Sequence, residues 1–474
     1  MRVLLAASEA YPFAMSGGLA DVAGALPKAL RTRLVGCRVV LPLYDTIPEN
    51  LKKEMKFITN ITVPVAWRQQ YCGIFEARVG KVIYYFIDNE YYFKRGALYG
   101  FYDDAERYTF FSRAVLEILK HIDYKPDIIH CNDWQTALIP VYKTLLYGDD
   151  PFYSDIRTLF TIHNIQYQGK YGKELLSNIV GLPSWDENFI EYEDCVNFMK
   201  GGIECADRVN TVSPTYAREI LSPEFSHGLD NILRAREWKL SGIINGIDTE
   251  VYNPETDKMI YKNYSAEDFS KKAINKACLQ DEMGLPKKED IPLIGMVTRL
   301  VSHKGLDLVK CVFEDMLKFG VQFVILGSGE HEYEHFFHEM SNKYPDKVAL
   351  RTGFIPEFAH KIYAGADMFL MPSKSEPCGL AQMVALRYGT IPIVRETGGL
   401  KDTVIDSGLG EGNGFTFNNY NAHDMSHAVW RAVEGFRNRD GWDILIKRAM
   451  DCNNSWSASA KEYIALYKSI LSQN

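Results

Sequence analysis

Short aliphatic and β-branched runs recur along the chain, each closed by small or polar residues and followed by an amphipathic stretch. Val3-Leu4-Leu5-Ala6-Ala7 reads as the first strand, and Gly17-Gly18 then opens a helix running to Leu30. Asp127-Ile128-Ile129-His130 is a second strand, with residues 134–146 as its helix. Residues 158–162 form a third, ending at His163. Residues 208–212 form a fourth, after which Ser213-Pro214 starts a helix by the cap-plus-proline pattern.

The second half repeats this grammar. Strands are expected at 292–297, 321–326, 367–371 and 390–394, and helices at 305–317, at 377–388 and after Gly398-Gly399. Such alternation predicts parallel sheets with helices on both faces, in two open α/β domains. Their boundary is expected near Asn245-Gly246, where a strand ends in a turn. The Tyr- and Phe-rich segment 67–107 breaks the alternation and reads as an inserted sheet or hairpin. The last element reads as a helix from Ala458 to Leu471.

A chain of 474 residues exceeds one ordinary core, which agrees with two domains. With 46% hydrophobic and 24% charged residues it is a globular protein, not a disordered or fibrous one. A formal charge of −8 gives no general attraction for nucleic acid or an anionic membrane. Any phosphate must then be held by a few placed cations and amides. The nine cysteines show no two-residue spacing of a zinc or redox motif and read as free thiols. The apolar run after Met1 is too short for a signal peptide, and no stretch is long enough to span a bilayer. These features lead to a cytoplasmic expectation.

In open parallel sheets, ligands sit outside the carboxyl ends of the strands, so the residues there are the ones to inspect. Ser16-Gly17-Gly18-Leu19-Ala20-Asp21 follows the first strand. Its glycines allow close approach of a diphosphate, and a tight turn without ligand explains them equally well. Arg299 and Lys304 share one loop and could clamp a phosphate, or be solvated surface charges. Glu376-Pro377-Cys378-Gly379-Leu380 sets a carboxylate ahead of a helix expected to begin with proline. Dipole compensation is the plainer account of that acid. His163 could bond a hexose hydroxyl or move a proton, or simply be a satisfied strand-end residue. Asp133 is a helix N-cap or a hydroxyl ligand.

Together these motifs resemble the glycogen synthase and starch synthase family of glycosyltransferases. The matching pieces begin with Pro12-Phe13-Ala14 and Gly17-Gly18-Leu19-Ala20-Asp21-Val22, followed by His130-Cys131-Asn132-Asp133-Trp134-Gln135. Thr161-Ile162-His163-Asn164-Ile165-Gln166-Tyr167-Gln168-Gly169 and Ile244-Asn245-Gly246-Ile247-Asp248 come next. Arg299-Leu300-Val301 with Lys304-Gly305-Leu306, Glu376-Pro377-Cys378-Gly379-Leu380 and Thr397-Gly398-Gly399-Leu400-Lys401-Asp402-Thr403-Val404 complete the set. The resemblance implies a GT-B fold: two Rossmann-like, doubly wound parallel-sheet domains facing an interdomain cleft, with closure about Asn245-Gly246. The N-terminal domain would span 1–246, completed by a C-terminal helix at 458–474, and the donor-binding domain 247–457.

The implied reaction is retaining transfer of glucose from ADP-glucose, or UDP-glucose, to the 4-hydroxyl at the non-reducing end of an α-1,4-glucan, with no metal or other cofactor. By the same resemblance Arg299 and Lys304 hold the donor diphosphate, and Glu376 lies near the transferred glucose. Cys378, Gly379 and Leu380 offer amides, while Asn245 contacts the glucose. His163 sits beside the reacting sugar, Asp21 and Asp133 at the donor–acceptor site, and Phe354 stacks on the base. Ser16, Gly17 and Gly18 line the donor together with Met15, which stands where the family usually has lysine. Val384 occupies the place of a second glutamate that many retaining relatives carry and this family commonly lacks. Two other readings stay open: a glucosyltransferase of the same fold with another acceptor, and a weakened glucan-binding protein lacking the Met15-position cation.

Overall fold

The computed structural model describes residues 1–472, and the chain divides into two compact units. Unit 1 holds Met1–Ile243 and the segment from Trp456 onward, and unit 2 is Ile244–Ser455, which contains Asn245. Residues 473 and 474 of the expected C-terminal helix lie outside the described residues.

The strands of unit 1 are β1 (Arg2–Ala6), β2 (Gly36–Pro42), β3 (Lys56–Val65), β4 (Arg68–Val79), β5 (Val82–Asp88), β6 (Ile128–Asn132) and β7 (Arg157–Ile162). The short β8 (Lys170–Tyr171), β9 (Glu191–Tyr192) and β10 (Cys195–Asn197) follow, and β11 (Arg208–Thr211) and β12 (Leu240–Gly242) complete the set. Nine of them form one sheet in the order β12-β11-β7-β6-β1-β2-β5-β4-β3. From β12 to β5 the neighbours are parallel, whereas β4 and β3 add as an antiparallel hairpin. Val3, Leu4 and Leu5 are fully buried, as a central parallel strand requires.

The insertion expected at 67–107 begins earlier, at Lys56. Its first strand is exposed or half-buried from Lys56 to Thr62 and buried only at Val63 and Val65, so most of it lies outside the core. The later part of that segment is helical: Glu90–Phe93 and then Asp104–Glu117. The C-terminal helix, Trp456–Leu471, docks on this sheet. His130 Nδ1 on β6 lies 2.8 Å from the Tyr467 hydroxyl, and Asn210 Nδ2 on β11 donates to the Tyr463 hydroxyl at 3.3 Å. Among the described residues no helix is long and apolar enough to cross a membrane.

Unit 2 contains β13 (Leu293–Val297), β14 (Gln322–Gly327), β15 (Val348–Thr352), β16 (Met368–Met371), β17 (Ile391–Arg395) and β18 (Phe415–Phe417). All pair in parallel, in the order β15-β14-β13-β16-β17-β18. The chain builds outward from β13 in one direction and then restarts at β16 on the other side. That reversal opens a crevice at the carboxyl ends of β13 and β16, where loops diverge. Unit 1 has the same reversal between β1 and β6.

One expected helix is shorter than its sequence pattern. Residues 377–388 read as helix from Pro377, yet the helix is Ala381–Arg387. Gly379 takes a left-handed φ of 70°, which bends Pro377-Cys378-Gly379 into a turn before the helix begins. The amides of 378–380 therefore belong to that turn.

Candidate functional site

At the β1/β6 reversal of unit 1, the loop after β1 folds back on Glu9. This buried carboxylate accepts the Ser16 N–H. Burial pushes its carboxyl above the ordinary range, against the pull of the Ser16 and Gly17 amides. The Ser16 amide is thus already bonded within the protein and is not free for a phosphate. Gly17 and Gly18 are exposed, and packing does not require them. A Cβ at Gly18 would meet nothing within 4 Å, and one at Gly17 only Glu9 Oε1 at 4.0 Å. Met15 beside them is 51% exposed. Asp21 lies on the first turn of the helix Gly18–Thr32 and adds its negative field at Glu9.

Asp133, just past β6, has φ 58° and makes no capping bond to the turn that follows. Its Oδ1 instead accepts the His163 N–H at 2.7 Å, joining the ends of β6 and β7. The N-cap account of this residue is therefore set aside. Burial pushes its carboxyl up to about 7, opposed by the His163 and Asn164 amides. His163 Nε2 lies 2.9 Å from Asn132 Oδ1. Asn132 Nδ2 donates to the carbonyls of Ala6 and His130, so its oxygen is the acceptor and His163 Nε2 carries the proton. Burial pushes this imidazole down to about 3, which leaves it neutral at physiological pH. A role as proton donor is not supported by that state.

Beside these groups lies a cavity of about 460 Å³ lined by Trp134, Gln166, Tyr167, Lys170, Tyr171 and His227, among others. Sequence reasoning quoted Gln166 and Tyr167 as motif but missed Tyr171 and His227. The antiparallel pairing of β8 with β10 places Tyr171, and no local pattern announces that pairing.

In unit 2 the reversal between β13 and β16 brings the predicted residues together. Lys304 Nζ lies 2.7 Å from Glu376 Oε2, and Ser373 Oγ donates to the same oxygen at 3.0 Å. Glu376 is buried, so its charge has a paired cation and a hydroxyl donor in place of water. The imidazole of His303 is pushed down by burial and then by the fields of Lys304 and Arg299, which places both cations in one locality. Arg299 is itself exposed. The two loops touch at Gly305, φ 74°, where a Cβ would sit 2.0 Å from the Pro372 carbonyl.

The turn after Glu376 is equally constrained. Cys378 is buried; its sulfur accepts the Asn245 N–H, and burial pushes the thiol up to about 12. Asn245 is 5% exposed, and its Oδ1 has no hydrogen-bond partner among the described residues. Gly398 and Gly399 back the turn so closely that Cβ atoms there would lie 2.0 Å from the Glu376 carbonyl and 2.1 Å from the Cys378 carbonyl. Leu380 precedes the first residue of the helix. Phe354, after Gly353 at the end of β15, is 83% exposed. Among the described residues, no group of three or more His, Cys, Asp or Glu is placed to hold a metal ion.

Two parallel-sheet α/β units, each with its polar residues gathered at a strand-order reversal, define a glycosyltransferase of GT-B type. The starch synthase catalytic domain matches residues 2–235, and glycosyl transferases group 1 matches residues 279–442. Glycogen synthase of Geobacillus thermodenitrificans is 51% identical over 99% of this chain and 98% of its own length. That of Bacillus cereus is 52% identical over 99% and 100%. The chain belongs to the glycogen synthase and starch synthase family. The catalytic domain of Starch Synthase IV from Arabidopsis thaliana, solved bound to ADP and acarbose, superposes with a TM-score of 0.92 at 35% identity, covering 100% of this chain and 99% of that one. Sucrose-phosphate synthase from Thermosynechococcus elongatus shares the fold, with a TM-score of 0.62 at 16% identity over the full length of both chains.

Proposed function

We propose that this protein elongates an α-1,4-glucan, passing glucose from a nucleoside diphosphate to the 4-hydroxyl at the non-reducing end with retention of the α configuration. The observation that carries the reading is the Lys304–Glu376 pair at the β13/β16 reversal, with Arg299 on the same loop as Lys304. As the bond between glucose C1 and the diphosphate oxygen breaks, negative charge grows on the leaving group. Arg299 and Lys304 stabilise that charge, and the amides of the turn at Cys378, Gly379 and Leu380 add fixed donors. The acceptor oxygen bonds to C1 on the same face, and its proton passes to the departing phosphate oxygen. No step of this scheme calls for a resident metal or cofactor.

Glu376 holds Lys304 in place and meets the transferred glucose, and the buried, unpartnered Oδ1 of Asn245 is assigned to the same sugar. Asp21, Asp133 and neutral His163 take sugar hydroxyls. Gly17 and Gly18 leave room for the donor, and Phe354 offers its face to the base. The aromatic cavity at Trp134, Tyr167 and Tyr171 suits the stacked faces of glucan units.

ADP-glucose is the preferred donor in this reading, supported by the ADP-bound relative. Cytoplasmic residence fits substrates made and stored inside the cell. Release of nucleoside diphosphate would be measured with each of ADP-glucose and UDP-glucose, using glycogen or free glucose as acceptor. The expected result is release with ADP-glucose and glycogen. Release with free glucose but not glycogen would move the protein to another acceptor class, and no release with any pair would make it a glucan-binding protein. Trapping a covalent glucosyl-enzyme would overturn the one-step chemistry.

A further inference from the structure

Gln382 is fully buried beneath the turn that follows Glu376. The two hydrogens of its Nε2 are shared among three acceptors, the carbonyls of Cys378 at 3.0 Å and Gly379 at 2.9 Å and Thr403 Oγ1 at 3.1 Å. The Thr403 hydroxyl donates onward to the Gly399 carbonyl at 2.6 Å, so it can only accept from Gln382. That chain fixes which end of the amide is nitrogen. Gln382 Oε1 is buried without a hydrogen-bond partner among the described residues. The amide nitrogen thus ties both carbonyls of the turn, at the cost of one unmade bond at its own oxygen.

A trans peptide points its C=O and N–H in opposite directions. The carbonyls of Cys378 and Gly379 are both drawn inward onto one side-chain nitrogen, so the next N–H groups, on Gly379 and Leu380, are turned outward. Among the described residues, neither amide donates to a backbone carbonyl. The left-handed Gly379 makes this tight seat possible, because a Cβ there would lie 2.5 Å from Gln382 Oε1.

We infer that Gln382 is a positioning residue, which aims the Gly379 and Leu380 amides at the nucleotide sugar without touching it. The inference rests on the donor-binding role proposed for that turn. Gln382→Met keeps the volume and removes the fork. It should raise the KM for the nucleotide sugar about tenfold, as expected for two misaimed hydrogen bonds, and leave the glucan KM unchanged.

Gln382→Glu provides a readout that loss of packing would not move. Its carboxyl can donate only when protonated, so its donor KM should recover as pH falls, while that of Gln382→Met should not. An unchanged donor KM in a folded Gln382→Met protein overturns the inference, as does an equal rise in both KM values. Should Gln382→Met fail to fold, Thr403→Val removes the relay and should give a smaller rise confined to the donor; no rise there also overturns it. Lys304→Ala separates the two ideas. If Lys304→Ala abolishes transfer and Gln382→Met leaves the donor KM alone, only the role of Gln382 falls; if both leave transfer intact, the donor assignment falls with it.

Discussion

The glycine pairs of the two units look alike in sequence and differ in what demands them. Gly398 and Gly399 are forced by the protein itself, since a Cβ there would lie 2.0 and 2.1 Å from backbone carbonyls of the Glu376 turn, well inside van der Waals contact. Gly17 and Gly18 face open space, and nothing inside unit 1 prevents a larger residue. One pair is fixed by the backbone packed against it, and the other lies open to solvent. A glycine motif therefore acquires its meaning only once the neighbours of the missing Cβ are known.

The contrast can be broken by substitution in three ways. Lys304→Ala removes a cation from unit 2 and leaves Glu376 buried without its partner; kcat/KM should fall about 10²–10³-fold, read as nucleoside diphosphate release on a glycogen primer. Gly399→Ala should lower stability by roughly 3 kcal/mol in chemical denaturation, because the turn must move. Gly18→Ala should leave the denaturation midpoint unchanged or higher while reducing transfer. Equal loss of stability in both would erase the distinction.

Acid should also act on unit 1 through His130, whose imidazole burial pushes down to about 3. An unfolded histidine binds its proton near 6.5, so between these values the unfolded chain holds more protons and stability drops as pH is lowered. At pH 5 this residue alone should remove about 2 kcal/mol, and a His130→Gln protein should lose that share of the slope while His163 keeps its own. Met15→Lys should strengthen donor binding roughly tenfold by returning a cation to the open loop. Unchanged kinetics would show that the lysine is not limiting.

Much of this was legible from the chain alone. Central strands such as Leu293–Val297 are continuous apolar runs, and the catalytic candidates follow directly after them. The start of the helix after Glu376 was not legible, because Pro377 carries a helix-opening signal that left-handed Gly379 overrides. The start of the hairpin at Lys56 was hidden because Lys56 to Thr62 stay exposed or half-buried. Glu9 and Gln382 were invisible for another reason: each acts on a backbone group brought near by a turn, which residue type and spacing do not encode. Lys304 was expected at the donor diphosphate and Glu376 near the glucose; their direct ion pair was not expected, and the reversal of strand order supplies its cause.

The helix Trp456–Leu471 belongs to the sheet of unit 1 although all of unit 2 precedes it in the chain. On a ribosome, β6 and β11 emerge early, yet the Tyr467 and Tyr463 hydroxyls that meet them are synthesised after unit 2. The half of the protein translated first is thus the half completed last, and a nascent chain must shelter an uncovered sheet until that final helix arrives.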